Sequence, residues 1–77
     1  MKKLVVMLDT IEKVKKFVSV ASRCDGDIDL MSERYVVDAK SIMGIFSLDL
    51  GAKLTLNVYN DADYDALYAE IKDFVVE

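Results

Sequence analysis

The 77-residue sequence has no histidine, no proline and no tryptophan, and it has a single cysteine. Without histidine there is no imidazole for acid–base catalysis, for metal ligation or for carrying a phosphoryl group on nitrogen. The lone cysteine, Cys24, cannot close an internal disulfide, which fits a reducing compartment. It stands where a helix should end, ahead of Asp25-Gly26, with no base or cationic cluster in the neighbouring sequence. It therefore reads as a small, half-buried apolar residue and not as a nucleophile. Long apolar runs are missing too, and none approaches the roughly 20 residues of a membrane span. Met1-Lys2-Lys3 before Leu4-Val5-Val6-Met7-Leu8 has the outline of a signal peptide. The run stops at Asp9 with no small-residue cleavage site, so a strand and a cytoplasmic location are expected. Positive charge is the minority sign, with 10 lysines and arginines against 14 acids. The lysines are scattered or paired with acids, which argues against a nucleic-acid surface.

What is present suits one small globular domain over residues 1–77. Apolar residues make up 53% and charged residues 31% of the chain, too apolar for a disordered segment. A chain of this length buries only roughly 60–65% of its unfolded surface, so its architecture has to be economical.

Residues 3–8 read as a short apolar strand, hence buried or half-buried. Asp9-Thr10-Ile11-Glu12 fits a capping box with Asp9 as the cap, Thr10 being the alternative. A helix follows with Ile11, Val14, Phe17, Val18 and Ala21 on its apolar face and Lys13, Lys15 and Lys16 turned away. Gly26 is expected to stop it in a left-handed conformation. Residues 27–32 alternate as a strand with Ile28 and Leu30 inward, Ser32-Glu33-Arg34 is turn-like, and 35–38 form a short third strand. A stubby helical segment spans 41–48. Residues 52–59 alternate cleanly, with Ala52, Leu54, Leu56 and Val58 on one face and Lys53, Thr55 and Asn57 on the other. The polar face predicts that one side of the sheet is open to water. A final helix is expected over 61–76, with Asp61, Asp63 and Asp65 in its first turn, where the helix dipole favours anions. Its buried stripe would be Tyr64, Leu67, Ile71 and Phe74 or Val75. Tyr59, Tyr64 and Tyr68 read as packing residues. The order β-α-β-β-α-β-α, with one-sided helices and short or alternating strands, predicts an α+β fold. In it a four-stranded antiparallel sheet carries helices on one face in a split βαβ arrangement.

The segment 36–51, VVDAKSIMGIFSLDLG, sets a serine directly before a short apolar run. Ser41 reads first as an N-cap, its hydroxyl accepting from the backbone N–H of Met43 or Gly44. The same geometry suits a phosphate, which the exposed N–H groups and the positive helix end would favour by about 0.3–1 kcal/mol. A helix this short cannot bury both faces, and Ile45 and Leu48 make the better inward pair. Ile42, Met43 and Phe46 are then left as a partly exposed apolar patch, the mark of a binding surface. Asp25, Asp27 and Asp29 lack the glycine and glutamate of a calcium loop. Asp61, Asp63 and Asp65 read as first-turn acids, so no metal site and no cofactor are expected. Ser19, Ser22, Ser32 and Ser47 have no base beside them.

The stretch DAKSIMGIFSL resembles the regulatory serine segment of HPr, the small phosphocarrier of the bacterial sugar phosphotransferase system. ASRCDGDIDL is similar to the end of that family's first helix and its second strand, and GAKLTLNV to its fourth strand. The resemblance implies the family's open-faced β-sandwich, no enzymatic activity of its own, and docking onto protein partners through Lys40, Ile42, Met43 and Phe46. It also implies that Ser41 is a site for a serine kinase. The family's carrier histidine is followed closely by an arginine and a proline. Counting back without gaps from Ser41 puts Thr10 at the histidine position, Glu12 at the arginine position and Lys13 at the proline position. Threonine would form a stable phosphate ester, and Glu12 would repel the phosphate that an arginine would bind. The loop after the short helix is also about two residues shorter than is usual in the family.

The expectation is a non-catalytic HPr-like regulatory protein without phosphohistidine transfer, similar to the family's catabolite-repression variant. It would be switched by phosphorylation at Ser41. Its expected partners are an HPr-serine kinase, a transcription regulator or phosphotransferase-system proteins, with no nucleic acid and no membrane. The alternative is a constitutive protein–protein interaction domain derived from HPr and never phosphorylated. Phosphoryl transfer through Thr10 ranks below both.

Overall fold

The computed structural model describes residues 2–76. Its elements are β1 (Lys2–Val6), α1 (Ile11–Ser22), β2 (Ile28–Met31), β3 (Val36–Asp38), α2 (Ile42–Phe46), β4 (Leu54–Val58) and α3 (Asp61–Ile71), followed by a 3-10 turn over Lys72–Phe74. The four strands form one sheet in the order β1-β4-β2-β3. All three pairings are antiparallel. Since β1 and β2 both run against β4, they are parallel to each other with β4 between them. The β1-α1-β2 unit is thus a split crossover, and β3-α2-β4 repeats it around β2. This is the α+β architecture expected from the order of elements.

Period-two alternation decides which strand residues face the helices. Leu4 and Val6, Ile28 and Leu30, and Leu54, Leu56 and Val58 all point to the buried side. There they meet Val14, Phe17, Val20 and Ala21 from α1, Ile45 from α2 and Leu67 and Ile71 from α3, with Leu8, Ala39, Leu48 and Phe74 closing the edges of one continuous cluster.

Several boundaries and faces differ from the sequence reading, each for a local reason. Ile11 is 57% exposed and Val20 takes its place in the core. At 3.6 residues per turn Ile11 lies roughly 120° around the helix from Phe17, while Val20 lies only about 60° away. The cap of α1 is Thr10 and not Asp9: the Thr10 hydroxyl accepts from the Lys13 N–H at 3.2 Å. Asp9 instead takes the Lys13 ammonium at 2.7 Å, so no capping box between Asp9 and Glu12 forms.

Gly26 is not left-handed, and no described residue has a positive φ. It is there for close approach. A Cβ at this position would stand 2.8 Å from Asp63 Oδ2 and 3.0 Å from Asn60 Cβ. Its N–H donates to that same Asp63 oxygen at 2.8 Å, tying the turn after α1 to the start of α3. Asn60, whose role the sequence reading missed, caps α3 by accepting from Ala62 and Asp63 N–H groups.

The last helix is shorter than the expected span of 61–76. It ends at Ile71, tightens into the 3-10 turn, and leaves Val75 extended at φ −76°, ψ 127°. Val75 bridges Val6, while Phe74 accepts from Met7 N–H and Val76 donates to Val5 carbonyl, both at 2.9 Å. The β-branched pair Val75-Val76 suits this extended backbone better than a helix. The tail thereby covers the C-terminal end of the outer edge of β1, which would otherwise offer unpaired N–H and C=O groups there.

The outward sheet face is less open than its sequence suggested. Asn57, flanked in register by Lys3 and Asp29, is only 4% exposed. Its amide donates to Met31 Sδ at 2.7 Å, and its Oδ1 has no hydrogen-bond partner among the described residues. The tyrosines separate into two groups. Tyr64 and Tyr68 stack with ring centroids 6.2 Å apart, and the Lys2 ammonium lies over the Tyr64 ring. Tyr59 lies apart from them and donates to Asp29 Oδ2 at 2.8 Å.

Candidate functional site

The turn leading into α2 is built from its own short polar side chains. Asp38 Oδ1 accepts from Lys40 N–H at 2.8 Å, and the Asp38 carbonyl accepts from Ser41 N–H at 3.0 Å. Between them Ala39 is fully buried and donates its N–H to the Ile28 carbonyl. The chain is thus pinned to the sheet one residue before it turns outward. Ser41 then sits at φ −103°, ψ 106°, outside helical geometry, and its Oγ accepts from Gly44 N–H at 3.2 Å. The N-cap reading of Ser41 is therefore the observed geometry, with Gly44 as the partner. Ser47 closes the other end by donating its hydroxyl to the Gly44 carbonyl.

Gly44 brings α2 close to β3. A Cβ there would meet both Ser41 Oγ and Val37 Cβ at 3.3 Å. With its axis held this near the sheet, the five-residue helix turns Ile45 fully inward, and Leu48, just beyond its C-cap, is nearly fully buried. Ile42 is half-buried against the core, while Met43 is 75% and Phe46 40% exposed. Ser41 is exposed at the start of this apolar surface. The expected division of faces holds for Ile45, Leu48, Met43 and Phe46, and Ile42 straddles the boundary.

Lys40 has a different position from a free surface lysine. Its ammonium donates to the Cys24 carbonyl at 2.8 Å, so it ties the turn before α2 to the end of α1. Cys24 is half-buried there. Burial pushes its thiol pKa up, and the nearby Asp63 carboxylate adds to the shift. This agrees with its reading as a packing residue.

At the front of α1 two carboxylates, Asp9 and Glu12, bracket Thr10 in sequence. Thr10 is exposed, with its oxygen engaged in capping. Hydrogen bonding to the Lys13 ammonium, with the attraction of its charge, holds the Asp9 carboxyl below the usual aspartate range. Glu12 is exposed in the first helical turn. Lys13 and Lys16 both lie over the Phe74 ring, at 6.0 and 5.9 Å from its centroid. The cation nearest to Thr10 in sequence is therefore already held by Asp9 and Phe74. Ile11, misplaced in the core by the sequence reading, adds an exposed apolar side chain directly after Thr10. The helical angle to Phe17 was the signal that would have found it.

Among the described residues, no three histidine, cysteine or acidic side chains come together in a way that could hold a metal ion. The described helices include none long and apolar enough to cross a membrane.

The family model described as the PTS HPr component phosphorylation site matches residues 12–77. The chain belongs to the HPr family of the phosphotransferase system. The match begins two residues after Thr10, so that position lies outside it. Among solved structures, HPr-C-His from Thermoanaerobacter tengcongensis is similar at 26% identity and a TM-score of 0.78, covering 95% of this chain and 93% of its own. The phosphocarrier protein HPr of Bacillus anthracis strain Ames is similar at 29% identity and a TM-score of 0.72, with the same coverage. No curated protein matches the chain. Both likenesses extend over nearly the full length, and the four-stranded antiparallel sheet with its three helices is the fold of these HPr proteins.

Proposed function

We propose that this HPr-family chain is a non-catalytic cytoplasmic regulatory protein that docks onto protein partners through Ile42, Met43 and Phe46 and is switched by phosphorylation at Ser41. The observation that carries the reading is the adjacency of an exposed serine to two exposed apolar side chains on one five-residue helix. A kinase would transfer the γ-phosphoryl group of ATP to Ser41 Oγ, breaking the bond to the β-phosphate oxygen and releasing ADP, with the hydroxyl proton passing to a base of the kinase. The product carries about −1.5 to −2 charge at pH 7. Phosphate oxygens would still accept from the Gly44 N–H, so α2 stays folded while the surface beside Met43 changes from neutral to anionic. A partner that packs apolar groups on Met43 and Phe46 then gains or loses affinity according to its own charge.

Phosphohistidine transfer has no support in this chain. The sequence contains no histidine. Thr10 is committed to capping α1, and the carboxylates of Asp9 and Glu12 flank it where an incoming phosphate would need cations. Lys40 contributes to the docking surface mainly by fixing the approach to α2, since its ammonium is held by the Cys24 carbonyl.

Intact-mass spectrometry tests the proposal, with the protein incubated with ATP and an HPr-serine kinase beside a Ser41→Ala variant. One added phosphate that the variant lacks is the expected result. A second arm with phosphoenolpyruvate and enzyme I should add none. No phosphate from either donor would leave a constitutive interaction domain, and a phosphate from phosphoenolpyruvate would mean that Thr10 or another side chain does accept a phosphoryl group.

A further inference from the structure

We draw no further inference here: the strongest candidate, the polar cleft between the β2–β3 turn and the loop leaving α2, sets Arg34 and Lys53 against Glu33 and Asp49 around Tyr35, and nothing in the structure shows what covers it.

Discussion

Replacing Gly26 by alanine separates two physical reasons for a glycine. Its backbone is not left-handed, so alanine should fit the local φ and ψ, and the stiffer unfolded chain alone would stabilise the fold by about 0.4–1 kcal/mol. Against this, the new methyl stands 2.8 Å from Asp63 Oδ2 and 3.0 Å from Asn60 Cβ. Overpacking of this kind costs about 1–3 kcal/mol. Pushing the carboxylate aside also weakens its 2.8 Å bond from the Gly26 N–H. The net expectation is a loss of about 1–2 kcal/mol. For a domain of this size that corresponds to a fall in Tm of about 4–16 °C. The decisive measurement is a double-mutant cycle by urea or thermal unfolding with Asp63→Ala. Once the carboxylate is gone, the cost of Gly26→Ala should shrink by at least about 0.5 kcal/mol, the coupling expected of groups in contact. An equal cost in both backgrounds would refute the close-approach account, as would a stabilised Gly26→Ala single variant.

Ser41→Ala removes an exposed cap at 3.2 Å and should lower stability by about 0.5–1 kcal/mol, whereas Ser41→Asp, an equally good cap, should leave it nearly unchanged by thermal unfolding. Met43→Glu, at a side chain 75% exposed, should alter stability by less than about 0.5 kcal/mol. It should nonetheless reduce the serine kinase's kcat/KM for Ser41 by about tenfold, equivalent to about 1.4 kcal/mol of transition-state binding; an unchanged kcat/KM would remove Met43 from the docking surface. Because burial raises the Cys24 pKa, alkylation by iodoacetamide should follow a pH profile shifted above the free-cysteine midpoint of about 8.5, and a profile at or below that value would contradict the packing role. The depressed Asp9 pKa implies that its ion pair with Lys13 helps the folded state fully above the ordinary aspartate value of about 3.9 and stops helping as pH falls through the lower folded value. Carboxyl titration by NMR should show the Asp9 midpoint rising in Lys13→Ala, and an unmoved midpoint would remove Lys13 as the cause.

The sheet and most of the core were legible because they depend on periodicity. Leu54, Leu56 and Val58 alternate with Thr55 and Asn57, and that put these three inward, whereas Ala52, expected on the same face, is exposed ahead of β4. Ser41 was legible because a cap is a local device: one hydroxyl reaches an N–H three residues on. The misread positions are those where distant chain decides. Gly26 looks like a helix stop, yet its reason is an aspartate 37 residues later. The final helix keeps its apolar spacing through Phe74, but pairing with β1 draws Val75 into an extended strand. Lys40 resembled a surface contact until the fold placed the Cys24 carbonyl within reach. At the candidate site the exposure of Met43 and Phe46 followed from helix length alone. The engagement of Lys13 by Asp9 and Phe74 did not, because Phe74 comes from the far end of the chain.

The central place of β4 bears on how the protein is made. Among the described residues β1 pairs only with β4 and the tail, and β2 meets β1 only through β4. A ribosome that has released residues 1–50 has therefore delivered two of the sheet's long strands with nothing to join them, and the β2–β3 hairpin alone is too small to persist in water. The nascent chain must hold Leu4, Val6, Ile28 and Leu30 uncovered until Leu54–Val58 emerges and slots between them. At about 5–20 residues per second that interval lasts a few seconds. It is in this window, before the last third of the chain arrives, that chaperones or aggregation would meet the exposed strands. A fragment ending before β4 should accordingly remain unfolded, however native its first helix.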